Sequence, residues 1–124
     1  MKIDCVSAVL FYSPEPTRLA TFYRIHLGIP FEPDRHGAAQ EHLECDIGPV
    51  HLAVLKGHAP NAPRTQATGV APTFGVGDLD AFVQALERAG IAPSGSILHL
   101  GEGRRVAQFH DPDGNAFQLL EHRA

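Results

Sequence analysis

Eight histidines stand among 124 residues, at positions 26, 36, 42, 51, 58, 99, 110 and 122, and imidazole is the side chain best placed to bind a metal or move a proton near neutral pH. No two of them fall at a HExxH or HxH spacing, the patterns that set paired imidazoles on one face. They therefore read as scattered surface or half-buried residues, with His110 exposed or bonded to its neighbouring turn. Cys5 and Cys45 are the only cysteines. Without a CxxC or a further pair they form neither a disulfide framework nor a thiolate zinc site, and both are expected as small buried apolar residues in strands. No serine lies in a G-x-S-x-G elbow, and neither cysteine sits at a helix start that would activate it. Gly101-Glu102-Gly103-Arg104-Arg105 is glycine-rich but precedes a strand, so it lacks the helix-start amides of a phosphate cradle. It reads as a hairpin loop, its two arginines as a solvated pair rather than a gate or an anion site. Asp111-Pro112-Asp113-Gly114-Asn115 has two carboxylates but not the acidic loop of a calcium site with its twelfth-position Glu. It reads as a turn that positions a strand.

The elements that must carry these residues are short. Ten Lys and Arg against 14 Asp and Glu give a net charge of −4, which disfavours nucleic acid as a partner. Apolar runs of a few residues fall far below the ~20 that span a bilayer, and the start MKIDCV lacks a secretory apolar region. The expectation is a soluble, cytoplasmic protein with no membrane partner. At 44% hydrophobic residues the chain can pack a core, and its length suits one domain.

Cys5 to Tyr12 reads as a buried strand. Ser13 reads as the N-cap and Pro14 as the first turn of a helix that carries Leu19, Phe22 and Tyr23 and stops at Gly28. Ile29 to Glu32 is expected as a short strand and Pro33 to Ala39 as a polar loop. Glu41 to Ile47 and Val50 to Lys56 read as a hairpin about Gly48-Pro49. Residues 57–69, rich in Gly and Pro and poor in large apolar side chains, form a linker. Beyond it come a strand at Val70 to Val76 and a helix capped by Asp78, with Leu79, Phe82, Val83 and Leu86 at i, i+3, i+4 and i+7. Ile91 to Pro93, Ser96 to Leu100, Arg104 to Phe109 and Ala116 to Glu121 complete the strands. The order β, α, β, β, β thus occurs twice, at offsets of about 62 to 65. The modules are 1–56 and 70–124. Each has one helix for one sheet face, so the opposite face must be covered or line a cavity.

This order, together with Phe109-His110-Asp111-Pro112-Asp113-Gly114-Asn115-Ala116-Phe117-Gln118-Leu119, with Phe22-Tyr23 before Leu27-Gly28, and with Val76-Gly77-Asp78-Leu79-Asp80, resembles the vicinal oxygen chelate superfamily. That is the glyoxalase, bleomycin-resistance and ring-cleaving dioxygenase group. The resemblance covers nearly the whole chain. It implies an α+β fold of two βαβββ modules, their sheets curving around a cleft, and a homodimer; pairing of modules within a chain or between chains is left open. It also implies a divalent metal held from the first and last strands of each module. Those positions fall on Ala8 and Ala71, on Ala53, and on Gln118 where relatives carry Glu. A cation needs several donors at about 2.0–2.6 Å, and three alanines with one amide do not supply them. No metal and no cofactor are expected.

With Ala53 facing the cleft, period two adds His51 on the same strand. The same parity sets Leu10 and Tyr12 beside Ala8, Thr73 beside Ala71, and Leu120 beside Gln118. This lining is mostly apolar with a few polar groups, as in an organic-ligand site. The resulting expectation is a metal-free protein that binds a small organic molecule, as antibiotic-sequestering relatives do. The alternative is a lyase, epimerase or dioxygenase of the same superfamily. It would either use an atypical metal set such as His42, His51 and Gln118, or work without metal through Tyr12 or His51 as acid or base.

Overall fold

The computed structural model describes residues 1–33, 42–57 and 70–122. The expected polar loop after Pro33 and most of the linker lie outside these. The chain forms two compact units, Met1–Ala59 and Pro60–Ala124.

The first unit runs β1 (Ala8–Ser13), α1 (Pro16–Leu27), β2 (Glu32–Pro33), β3 (His42–Ile47) and β4 (Val50–Lys56). Its four-stranded sheet has the order β1-β4-β3-β2, with β1 and β4 parallel and the other pairs antiparallel. Cys5 precedes β1 and is exposed, correcting its expected place in a buried strand. Ser13 is not the N-cap. Buried at the end of β1, it accepts the Glu15 amide at 3.0 Å, and Glu15 occupies the cap position without a side-chain bond. Pro16 opens the helix, where its missing N–H costs nothing. Gly28 closes it in the left-handed region (φ 69°) and its amide returns to the Arg24 carbonyl. Because the Ile29 amide also turns back, to the Tyr23 carbonyl at 3.1 Å, the expected strand at Ile29 to Glu32 shrinks to Glu32–Pro33. Ile29 and Phe31 instead anchor the core. The Tyr23 ring packs 5.2 Å from Phe11 and 6.4 Å from Phe31, with Leu19, Leu43, Leu52 and Val54 buried among the same apolar set.

The second unit runs β5 (Thr73–Val76), α2 (Leu79–Arg88), β6 (Leu98–His99), β7 (Arg105–His110) and β8 (Ala116–Glu121), with a 3-10 turn at Gly101–Gly103. Its sheet order is β5-β8-β7-β6, again with one parallel pair, β5 and β8. Asp78 caps α2 by accepting the Ala81 amide at 3.0 Å, and Leu79, Val83 and Leu86 are the buried stripe. No strand forms at Ile91 to Pro93, and Ser96 to Leu100 narrows to Leu98–His99. Pro93 has no N–H to give a ladder, and Gly95 takes φ 95°, outside extended geometry. Phe109 and Phe117 stack at 5.5 Å and are fully buried. Truncating either to alanine would remove about 3–5 kcal/mol.

The fold is therefore α+β, two βαβββ modules, each a four-stranded mixed sheet with a helix. Their registers match. The Gly57 amide bonds Ser13 O at 2.9 Å, and the His122 amide bonds Val76 O at 3.1 Å, so first strands correspond at an offset of 63 and last strands at 65. Among the described residues no helix is long and apolar enough to cross a membrane.

Candidate functional site

Strand alternation sorts each sheet into a helix-packed face and an open one. In the first unit Phe11, Ser13, Leu43, Leu52 and Val54 are buried on the helix side. Register puts the opposite parity on the open face: Ala8 pairs with His51, Leu10 with Ala53 and Tyr12 with Leu55. Across β3, Asp46 pairs with His51, Glu44 with Ala53 and His42 with Leu55. Leu10 and Tyr12 stay 48% and 50% exposed, so the β1 side of this face is an apolar and aromatic surface. Ala53 lies between Leu10 and Glu44 and is buried.

A polar cluster occupies the same face. His51 Nδ1 lies 2.8 Å from Asp46 Oδ1, its Nε2 3.3 Å from Glu44 Oε2, and His42 Nε2 3.4 Å from the same Glu44 oxygen. A carboxylate at each ring nitrogen favours the imidazolium. The hydrogen bond to Asp46 leads in raising the His51 pKa above its ordinary value of 6.5, against a smaller loss from desolvation. The cluster can hold and release a proton. Among the described residues, however, no three His, Cys, Asp or Glu side chains are arranged to hold a metal ion. His42 and His51 meet through Glu44, and Gln118, in the second unit, bonds Thr73 and Gln108.

In the second unit the open face carries Thr73 opposite Gln118, Gly75 opposite Leu120, and Gln108 opposite Gln118. Ala71 lies two residues ahead of Thr73, before β5 begins. The Thr73 hydroxyl donates to Gln118 Oε1 at 3.1 Å, and Gln118 Nε2 donates to Gln108 Oε1 at 3.3 Å. This chain fixes both carboxamides. Beside them opens a cavity of about 250 Å³ lined by Ser94, Ser96, Leu98, Val106, Gln108 and Gln118. His110 is half-buried and bonds Ser94 Oγ through Nδ1 at 2.7 Å, rather than being exposed or tied to the adjacent turn. The Asp111 side chain organises that turn. Its carboxylate accepts the amides of Asp113 and Asn115 at 3.0 and 2.9 Å and the Asn115 side chain as well.

At the four metal positions the resemblance implies, the donor set does not fit an ion. Ala8, Ala53 and Ala71 have no donor atoms, and both polar atoms of the Gln118 amide are engaged by Thr73 and Gln108. Residues not anticipated from the sequence are Glu44, Asp46, Gln108, Ser94 and Ser96. The first two were legible: the two-residue turn Gly48-Pro49 pairs Ile47 with Val50, so the next pair is Asp46 with His51, and two residues farther on Glu44 faces Ala53. Ser94 and Ser96 carried no signal, because they lie on irregular chain.

The family model for the Glyoxalase/Bleomycin resistance protein/Dioxygenase superfamily matches residues 6–119, and the chain belongs to that superfamily. No curated protein matches the sequence. Among solved structures, SMU.1112c superposes with a TM-score of 0.74 at 25% identity, covering 97% of this chain and 100% of that one. A glyoxylase/bleomycin resistance protein/dioxygenase domain from Frankia sp. EAN1pec gives 0.73 at 18% identity, covering 98% and 94%. The virulence protein STM3117 from Salmonella typhimurium gives 0.70 at 18% identity, covering 99% and 100%. These likenesses establish the fold.

Proposed function

We propose that this superfamily member is a metal-free binding protein that takes a small organic ligand on an open sheet face. Sequestration of an antibiotic is one role such binding would serve. We place it in the cytoplasm as a homodimer, with neither nucleic acid nor membrane as partner. The observation that carries the reading is the donor-poor set Ala8, Ala53, Ala71 and Gln118, with the one amide in it already bonded on both sides. Supporting it are the exposed Leu10 and Tyr12 and the 250 Å³ cavity beside Gln108 and Gln118. Apolar surface with a few fixed polar groups is the general character of small-molecule sites.

A thermal-shift panel of antibiotics and other small organic compounds on chelator-treated protein tests the reading. A ligand at 100 times its Kd adds about 2.7 kcal/mol, so a true ligand raises the melting temperature by several degrees with chelator present. Stabilisation that appears only after a divalent metal is added would contradict it.

One observation favours a second reading, an enzyme of the same superfamily. His51 is oriented by Asp46 through Nδ1, the arrangement in which a carboxylate fixes the tautomer of an imidazole acid or base. On that reading His51→Ala abolishes turnover while leaving the melting temperature close to that of the parent.

A further inference from the structure

Arg104 and Arg105 are adjacent and have opposite surroundings. Arg105 is held by both oxygens of Asp80 at 3.1 Å and by Glu121 at 2.6 Å, which ties α2 to β8 and corrects its reading as a solvated residue. Arg104 has no ion-pair partner among the described residues, and its Nε is buried without a hydrogen bond. A buried guanidinium nitrogen without an acceptor is costly, and in a folded protein such a group calls for a missing partner. Arg104 has extended backbone angles (φ −86°, ψ 146°) and directly precedes β7. Alternation along 104, 106 and 108 therefore puts it on the open face with Val106 and Gln108, two of the residues that line the cavity. Its backbone lies ~7 Å along the strand from Val106, a span that an arginine side chain can cover, so Arg104 flanks the cavity rather than lining it. At the positions of that face it is the one permanently charged side chain among the described residues.

Resting on the ligand-binding reading above, we propose that this face binds the carboxylate of a small organic acid. Arg104 takes the carboxylate, whose two oxygens match the planar guanidinium fork. Leu98 and Val106 take the apolar body. The Gln108 carboxamide, held in place through Gln118 and Thr73, meets a neutral oxygen farther along. Ser94, Ser96, Gln108 and Gln118 are all uncharged, and His110, which shares the face, is bonded to Ser94 through Nδ1, so the permanent positive charge that would favour an acid over a neutral analogue is that of Arg104. The cavity falls below the ~300–1,000 Å³ typical of sites for drug-sized ligands, which limits the buried part to a ring with a few substituents.

The test titrates the full chain, labelled with nitrogen-15, with benzoate, phenylacetate and 3-phenylpropionate and with the primary amide of each. The proposal expects the acids to bind roughly tenfold tighter than their amides, equivalent to about 1.4 kcal/mol, and to shift the Arg104 Nε–H and the Gln108 and Gln118 side-chain signals. Arg104→Met is expected to bring each acid to the level of its amide. Equal affinity of acid and amide in the parent protein overturns the proposal without any variant. Amides that shift the Gln108 and Gln118 signals while acids do not would overturn the carboxylate assignment and leave the ligand-binding reading standing. No shift at this face from either class would count against both.

Discussion

Thr73 and Gln118 face each other across the parallel β5–β8 pair, and the threonine hydroxyl donates to the glutamine carboxamide at 3.1 Å. The matching pair in the first unit is Leu10 and Ala53, which has no polar atom in its side chains. One backbone plan thus presents a fixed amide in one unit and a bare apolar step in the other. Thr73→Val removes the donor at nearly constant volume. The expected result is a loss of ~0.5–1.5 kcal/mol in urea unfolding and a several-fold weaker response of Gln118 to ligand. An unchanged Gln118 side-chain signal would show that the hydroxyl does not hold it.

His51 gives a pH dependence of definite sign. Its raised pKa comes first from the Asp46 hydrogen bond. A group whose folded pKa is raised contributes stability that is fully present below the unfolded value, about 6.5, and is lost as pH rises through the folded midpoint. The His51 ring signals should therefore titrate above 6.5. Asp46→Asn should move the midpoint down and flatten that part of the stability profile. A midpoint unaffected by Asp46→Asn would contradict the assignment.

Asp111 is the buried hub of the final turn, where its carboxylate gathers two backbone amides and the Asn115 side chain. Asp111→Ala strands those donors and is expected to cost about 1–3 kcal/mol without adding or removing any metal. Calorimetric melting with and without calcium measures both. Stabilisation of the parent by calcium would give the turn a chemical role.

The two cysteines should separate under alkylation. Cys5 is exposed, whereas the Cys45 thiol is pushed up first by burial and then by the Asp46 charge, which keeps it protonated and slow to react. Iodoacetamide at neutral pH is expected to modify Cys5 well before Cys45, read by peptide mass mapping. Equal rates would contradict the partial burial of Cys45.

Period and punctuation made most of the fold legible. Val50 to Lys56, Ala116 to Glu121, the Asp78 cap and the twofold element order all follow from local chemistry that the tertiary structure does not overrule. The departures lie where a neighbour takes over a backbone group. Ser13 faces inward and bonds Glu15. Ile29 is drawn back by the Gly28 cap. Ser94 reaches Gln108 through its backbone and His110 through its hydroxyl. For the site, parity placed His51 beside Ala53 and Leu120 beside Gln118. The Glu44, Asp46 and Gln108 partners depend on cross-strand register, which only hairpin geometry fixes. Arg104 and Arg105 show the limit most plainly. Two identical side chains in sequence differ only because alternation sends one to the carboxylates of α2 and β8 and the other to the open face.

The most direct measurement is elemental analysis of the protein purified without added metal, followed by titration with nickel, zinc, iron(II) and manganese. Donor-free side chains at residues 8, 53 and 71 predict less than about a tenth of an equivalent of any of these ions on isolation and no saturable binding at those positions on titration. One tightly held equivalent per chain, retained by His42→Ala and His51→Ala variants, would contradict the account.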